Sequence, residues 1–184
     1  MALVAGLVML TGCGFSGGGS TGFISGGGLI TYLPVADRHQ VGAVSGTLLT
    51  GESFNLSSLR GKVVVINVWG SWCAPCRGEA SKLAAAARLL APTGVAFLGI
   101  NTRDQSPDNG LAFDRTFNVP YPSLYDYGGQ TLLAFNGRIT PNSIPSTIIL
   151  DKQGRIAASI IGPVTSTITL QDLVQDVVAG KASA

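Results

Sequence analysis

Two cysteines separated by two residues, in Trp72-Cys73-Ala74-Pro75-Cys76, have the types and spacing needed for reversible disulfide chemistry. The stretch before them, Val63 to Val68, is apolar but for Asn67 and reads as a buried strand; the one after, Ala80 to Ala91, is alanine-rich and reads as helix. At such a junction the first sulfur faces the unsatisfied amides of a helix mouth, and the second lies one turn in, close enough to bond it. Aligned amides favour a thiolate, and a thiolate is the nucleophile of disulfide exchange. Pro75 fits the first helical turn, where its missing N–H costs no hydrogen bond. These residues predict an exposed attacking sulfur at Cys73 and a buried resolving sulfur at Cys76.

Zinc ordinarily takes about four ligands. Outside the pair only Cys13 and His39 offer sulfur or imidazole, so no metal is expected. A purely structural bridge is a poor alternative, because closing so short a loop removes little entropy from the unfolded chain.

The 184 residues suit one domain plus appendages, and charged residues are only 12% of the chain. The formal charge of +2 includes no Lys/Arg block able to neutralise a row of phosphates, so nucleic acid is not an expected partner. Three cysteines leave Cys13 over once the pair is closed. Leu10-Thr11-Gly12-Cys13 ends an apolar stretch that starts at Ala2, and it resembles a bacterial lipobox. That resemblance implies cleavage before Cys13, a lipid on its sulfur and a domain tethered to the outer face of a membrane. No Lys or Arg precedes the stretch, from which we expect a natural start upstream of Met1.

The elements that must position the pair follow from composition and period. Gly14 to Gly28 is almost wholly Gly, Ser and Thr and reads as a flexible spacer; Leu29 to Gly42 has no period and reads as a lead-in on the domain surface. Val44 to Leu49 and Ser53 to Leu56 flank Thr50-Gly51-Glu52 as a hairpin. The strand at Val63, the helix from Pro75 to Ala91 and a strand from Val95 to Ile100 make a right-handed βαβ unit. A helix follows over Asp108 to Phe117, an extended piece over Tyr121 to Tyr125 and a short helix over Gln130 to Phe135. Thr147 to Leu150 and Arg155 to Ile161 form a hairpin about Asp151-Lys152-Gln153-Gly154. Leu170, Leu173, Val174, Val177 and Val178 make the apolar stripe of a last helix.

This order resembles the thioredoxin fold: α/β, with an N-terminal β-hairpin and a central insertion. Leu59-Arg60-Gly61-Lys62, Asn67 through Glu79 and Ile144-Pro145-Ser146-Thr147 resemble more closely the TlpA/ResA group of membrane-tethered thiol-disulfide oxidoreductases, several of which serve cytochrome c maturation. Val95 through Asp104 resembles the actinobacterial cytochrome-biogenesis members. The domain expectation is a signal peptide over 1–12, then a lipidated cysteine, linker and lead-in over 13–42, and a thioredoxin-like domain over 43–180.

The resemblance implies roles residue by residue. Asn67 stands where thioredoxins proper carry a buried aspartate, and an amide cannot exchange that proton. Glu79 matches the glutamate this group places near the dithiol, and is expected to handle the proton of Cys76 with a pKa raised by partial burial. The group's proline two residues later is Ser81 here, which implies a straighter helix. Pro145 after Ile144 matches the cis-proline that faces the dithiol and turns its backbone toward an incoming extended peptide. Trp69 and Trp72 are expected to shield the pair and, with Pro75, to shape the docking surface.

The expected function is extracytoplasmic disulfide exchange with protein substrates, with reduction of the haem-attachment cysteines of apocytochrome c as the leading case. A membrane donor of the thiol-reductant type would restore the dithiol, and no cofactor is expected, because sulfur carries the electrons. An oxidase for secreted proteins is the same-fold alternative. A peroxiredoxin-type peroxidase and a non-catalytic tethered binding module are two others. The segment from Asn101 to Asn142 is the expected source of client selectivity.

Overall fold

A computed structural model of the chain describes residues 22–25 and 28–181. In chain order the strands and helices are β1 (Gly22–Ser25), β2 (Gly28–Tyr32), β3 (Ser45–Thr47), β4 (Ser53–Asn55), β5 (Val64–Trp69), α1 (Ala74–Leu90), β6 (Ala96–Thr102), α2 (Pro107–Phe117), β7 (Ser123–Asp126), β8 (Ser146–Leu150), β9 (Ile156–Ile161) and α3 (Thr167–Val178). Short 3₁₀ turns occupy Leu56–Leu59 and Gln130–Phe135, among others. The main sheet runs β1-β2-β9-β8-β5-β6-β7, and β3 and β4 pair as a separate hairpin. β5, β6 and β7 are parallel, and the strands from β5 back to β1 alternate antiparallel.

β5 is buried throughout, as an apolar strand with neighbours on both edges and layers on both faces should be. Side chains alternate along it: Val65, with Val63 just before the strand, joins the core under α1 and α3, whereas Val64, Ile66 and Val68 join the core against the β3–β4 hairpin and Phe135. That period of two puts Asn67 on the helix-covered side. α1 buries Cys76, Ala80, Leu83, Ala87 and Leu90, one helical stripe whose alanines let the backbone approach the sheet closely. Burying Leu83 and Leu90 stabilises this contact by about 1.5–3 kcal/mol each. The helix passes into a turn that ends at Gly94, whose φ of 81° is left-handed.

The lead-in departs from expectation. Instead of wrapping the surface, Leu29 to Tyr32 pairs with β9 in register Leu29↔Ile161 and Ile30↔Ile160, and part of the expected spacer, Gly22 to Ser25, adds a further strand. Exposed backbone on the β9 edge supplies the driving force, which no side-chain period advertises. Arg38 locks the segment down. Buried itself, it donates to the Leu33 carbonyl and the Tyr32 hydroxyl and lies 3.5 Å from Asp151, whose carboxylate also meets Arg155 at 2.9 Å.

Candidate active site

Cys73 and Cys76 form a disulfide, with Cα atoms 5.2 Å apart. Cys73 is the N-cap of α1, and the Cys76 amide donates to its Sγ at 3.2 Å. This is the geometry the strand–turn–helix pattern predicts, and it aims the positive end of a 17-residue helix at the first sulfur. The expected exposure of Cys73 is corrected: it is 4% exposed against 1% for Cys76. In the bonded pair the first sulfur turns inward, into a cluster with Trp69, Phe113 and Ala80 against which Ile144 packs. Trp72 is the exposed member at 50%, while Trp69 is buried against the Phe113 ring at 4.3 Å.

The turn before Cys73 is held from the β6–α2 connection. Asp104 accepts from the Ser71 amide at 3.0 Å and from its hydroxyl at 2.5 Å, Asn101 also donates to it, and the Tyr125 hydroxyl bonds its carbonyl. Indole Nε1 of Trp72 donates to the Thr102 carbonyl at 3.1 Å. Arg103, held at a φ of 58°, lies 4.9 Å from the Trp72 ring centroid and donates to the Pro141 carbonyl, joining the tryptophan to the loop that leads into Pro145. The Ile144–Pro145 peptide is cis, and the Pro145 carbonyl accepts from Gly162. Trp72, the disulfide, Ile144 and Pro145 thus converge at one end of the sheet. Pro75 lies in the first turn of α1, as expected. Cys13 lies outside the described residues.

Glu79 is 1% exposed, more deeply buried than expected. One oxygen accepts from Asn67 Nδ2 at 2.9 Å and the other from the Val164 amide at 2.6 Å. Burial raises its pKa to about 7, against the lowering effect of those two bonds and of the Lys82 charge. The sequence reading missed Asp114. Its carboxyl is raised to about 7 by burial, and its Oδ1 finds no hydrogen-bond partner among the described residues. The available signal was its place at helical spacing between Leu111 and Phe117, both of which pack on the cysteine cluster. Tyr121 lies nearby, its hydroxyl pushed above the usual range by burial and then by the charges of Glu79 and Asp114.

Residues 35–177 match the Redoxin family. Among curated relatives, the thiol-disulfide oxidoreductase ResA of Geobacillus kaustophilus (strain HTA426) is 32% identical over 120 residues, which is 65% of this chain and 66% of that protein, just under two thirds of its length. Two solved structures are similar over 86% of this chain and 99% of their own. A DsbF homologue of Corynebacterium diphtheriae has 33% identity and a TM-score of 0.76; a secreted thiol-disulfide isomerase of Corynebacterium glutamicum has 38% and 0.74. With a bonded Cys-x-x-Cys pair at the mouth of α1 in a thioredoxin-like sheet, the chain belongs to the Redoxin family, among its thioredoxin-like thiol-disulfide oxidoreductases.

Proposed function

We propose that the protein exchanges disulfides with protein clients on the extracytoplasmic side of a membrane, tethered through a lipid on Cys13, and that its leading clients are the haem-site cysteines of apocytochrome c, which it reduces. The observation that carries the chemistry is the Cys76 amide pointing at Cys73 Sγ at the start of α1, because it favours a thiolate at the first sulfur once the pair is reduced. Cys73 attacks the client disulfide and Cys76 then attacks Cys73, closing the internal bond and releasing the client thiol. Glu79, buried three residues along the same helix face, takes up the proton of Cys76. The exposed Trp72, with Pro75, Ile144 and Pro145 around the pair, offers the surface on which an extended client segment docks. A membrane donor of the thiol-reductant class restores the dithiol.

The client is tested by trapping. Cys76→Ser is expected to accumulate a covalent mixed disulfide through Cys73, seen on a non-reducing gel and identified by mass. A Cys76→Ser protein whose captured partner washes off in salt would mean a binding module instead.

A second direction, donating or reshuffling disulfides in secreted proteins, is favoured by the similarity to the secreted thiol-disulfide isomerase of C. glutamicum across 99% of that chain. Equilibration with glutathione separates the two directions: a potential near that of the strong oxidant DsbA, about −120 mV, supports oxidation, and one near thioredoxin, about −270 mV, supports reduction.

A further inference from the structure

Glu79 has both oxygens engaged and almost no exposure, so the proton that leaves Cys76 needs a way to solvent that does not pass through Glu79. A small cavity beside Cys76 provides one. It is walled by Asn67, Cys76, Phe113, Asp114 and Tyr121 among others, and it leaves about 10 Å³ to the centre of a water, room for about one molecule with several polar partners. Asp114, Val119 and Tyr121 also line an open surface groove, together with Thr50, Arg115 and Pro120. The same three residues therefore form the partition between the resolving sulfur's cavity and solvent. The free Oδ1 of Asp114 is buried at that partition.

We propose that Asp114 is the proton outlet of the resolving cysteine, passing the proton of Cys76 between the inner cavity and the surface groove. The inference rests on the reading of Cys76 as resolving sulfur. In the step, the Cys76 thiol gives up its proton and its sulfur bonds Cys73; the Cys73–client bond breaks, and the client sulfur leaves with the electron pair and takes a proton. Cys73 and Cys76 are oxidised to a disulfide as the client disulfide is reduced. The proton moves through water in the cavity and the Asp114 carboxylate to bulk. The groups that face this route are Cys76 on α1, Tyr121 after α2 and Arg115 on the groove side; behind them Glu79 acts on Tyr121 through its charge, and Lys82 on Glu79. No cationic side chain bonds Asp114 among the described residues, which leaves it free to change charge. Asp114 is a relay residue that acts on Cys76 through water, and a titration shifted toward neutrality suits that role.

The test is single-turnover reduction of a disulfide-linked peptide by the full reduced chain, following release of the peptide thiol from about pH 5 to about pH 9. Asp114→Asn is expected to slow release roughly tenfold or more at about pH 7 and to change its pH profile, while the alkylation rate of Cys73 stays at the wild-type value. In Asp114→Ala, added formate is expected to restore the rate, a response that loss of packing would not give. Asp114→Glu keeps the question answerable if either Asp114 variant folds poorly: it retains a carboxyl and should release the peptide at close to the wild-type rate, whereas slow release in folded Asp114→Glu would count against the proposal. Wild-type release and pH profile in folded Asp114→Asn, or the absence of formate rescue, would overturn the proposal. Failure of Cys76→Ser to trap the peptide would instead remove the resolving role itself, whatever Asp114 does.

Discussion

Asn67 Nδ2 donates to Oε1 of Glu79 at 2.9 Å, so β5 supplies a donor and α1 supplies the acid, three residues beyond Cys76. The same amide group also reaches the Ser146 carbonyl and the Thr147 hydroxyl, both at 3.3 Å. A buried aspartate at this strand position would meet Glu79 as a second acid, with no donor between them. Asn67 is the partner that makes a buried carboxyl at Glu79 tolerable.

Asn67→Asp is therefore expected to destabilise the oxidised protein, by about 2–4 kcal/mol at pH 8 and by less at pH 5, where one of the two acids is neutral. Urea unfolding at the two pH values checks it. Equal losses at both would show that shape rather than charge is at issue.

Glu79 also predicts a pH dependence. Its folded pKa of about 7 stands above the ordinary 4.5, so between those values the native state binds more protons than the unfolded chain. Stability then falls as pH rises through this window and levels off above about 7, with Glu79 contributing a loss on the order of 3 kcal/mol. Glu79→Gln should remove that share of the slope, while leaving either the Asn67 or the Val164 donor without its acceptor and so lowering stability at pH 5. Asp114 adds a second, independent share with the same sign.

The capped geometry of Cys73 predicts its reactivity. In the reduced protein its thiol should titrate below the ordinary value of about 8.5, and Cys76 should not be alkylated at a comparable rate. Iodoacetamide labelling against pH, read by mass, measures both. First alkylation at Cys76 would contradict the assignment of roles.

Gly99 tests the floor under this site. A Cβ there would overlap Ser123 Oγ and lie 2.7 Å from Trp69 Nε1, where β6 passes between β5 and β7. Gly99→Ala should cost about 1–3 kcal/mol and displace Trp69, seen as a lower Tm and a changed tryptophan emission.

The parts legible in the sequence are those where one pattern has one physical cause. The β5 run between turns, the helix predicted over Pro75–Ala91 and found over Ala74–Leu90, and the hairpin about Asp151 to Gly154 are of this kind. Backbone pairing at a sheet edge leaves no such trace, so β2 read as surface wrapping. An acid on a helix that also carries Asp108, Asn109 and Arg115 looks solvated, and only the packing of α2 on the cysteine cluster sets Asp114 apart. The burial of Cys73 depends on Phe113 and Ile144 arriving from elsewhere in the chain, which spacing about the pair does not encode.

The pairing of Gly22 to Ser25 with β2 shortens the leash on this domain. If Cys13 carries a lipid, eight residues separate it from the first strand, a span of at most about 30 Å when fully stretched. The catalytic end would then patrol a layer about one protein diameter deep above the bilayer, and clients would have to come to it there, at their own points of emergence or attachment.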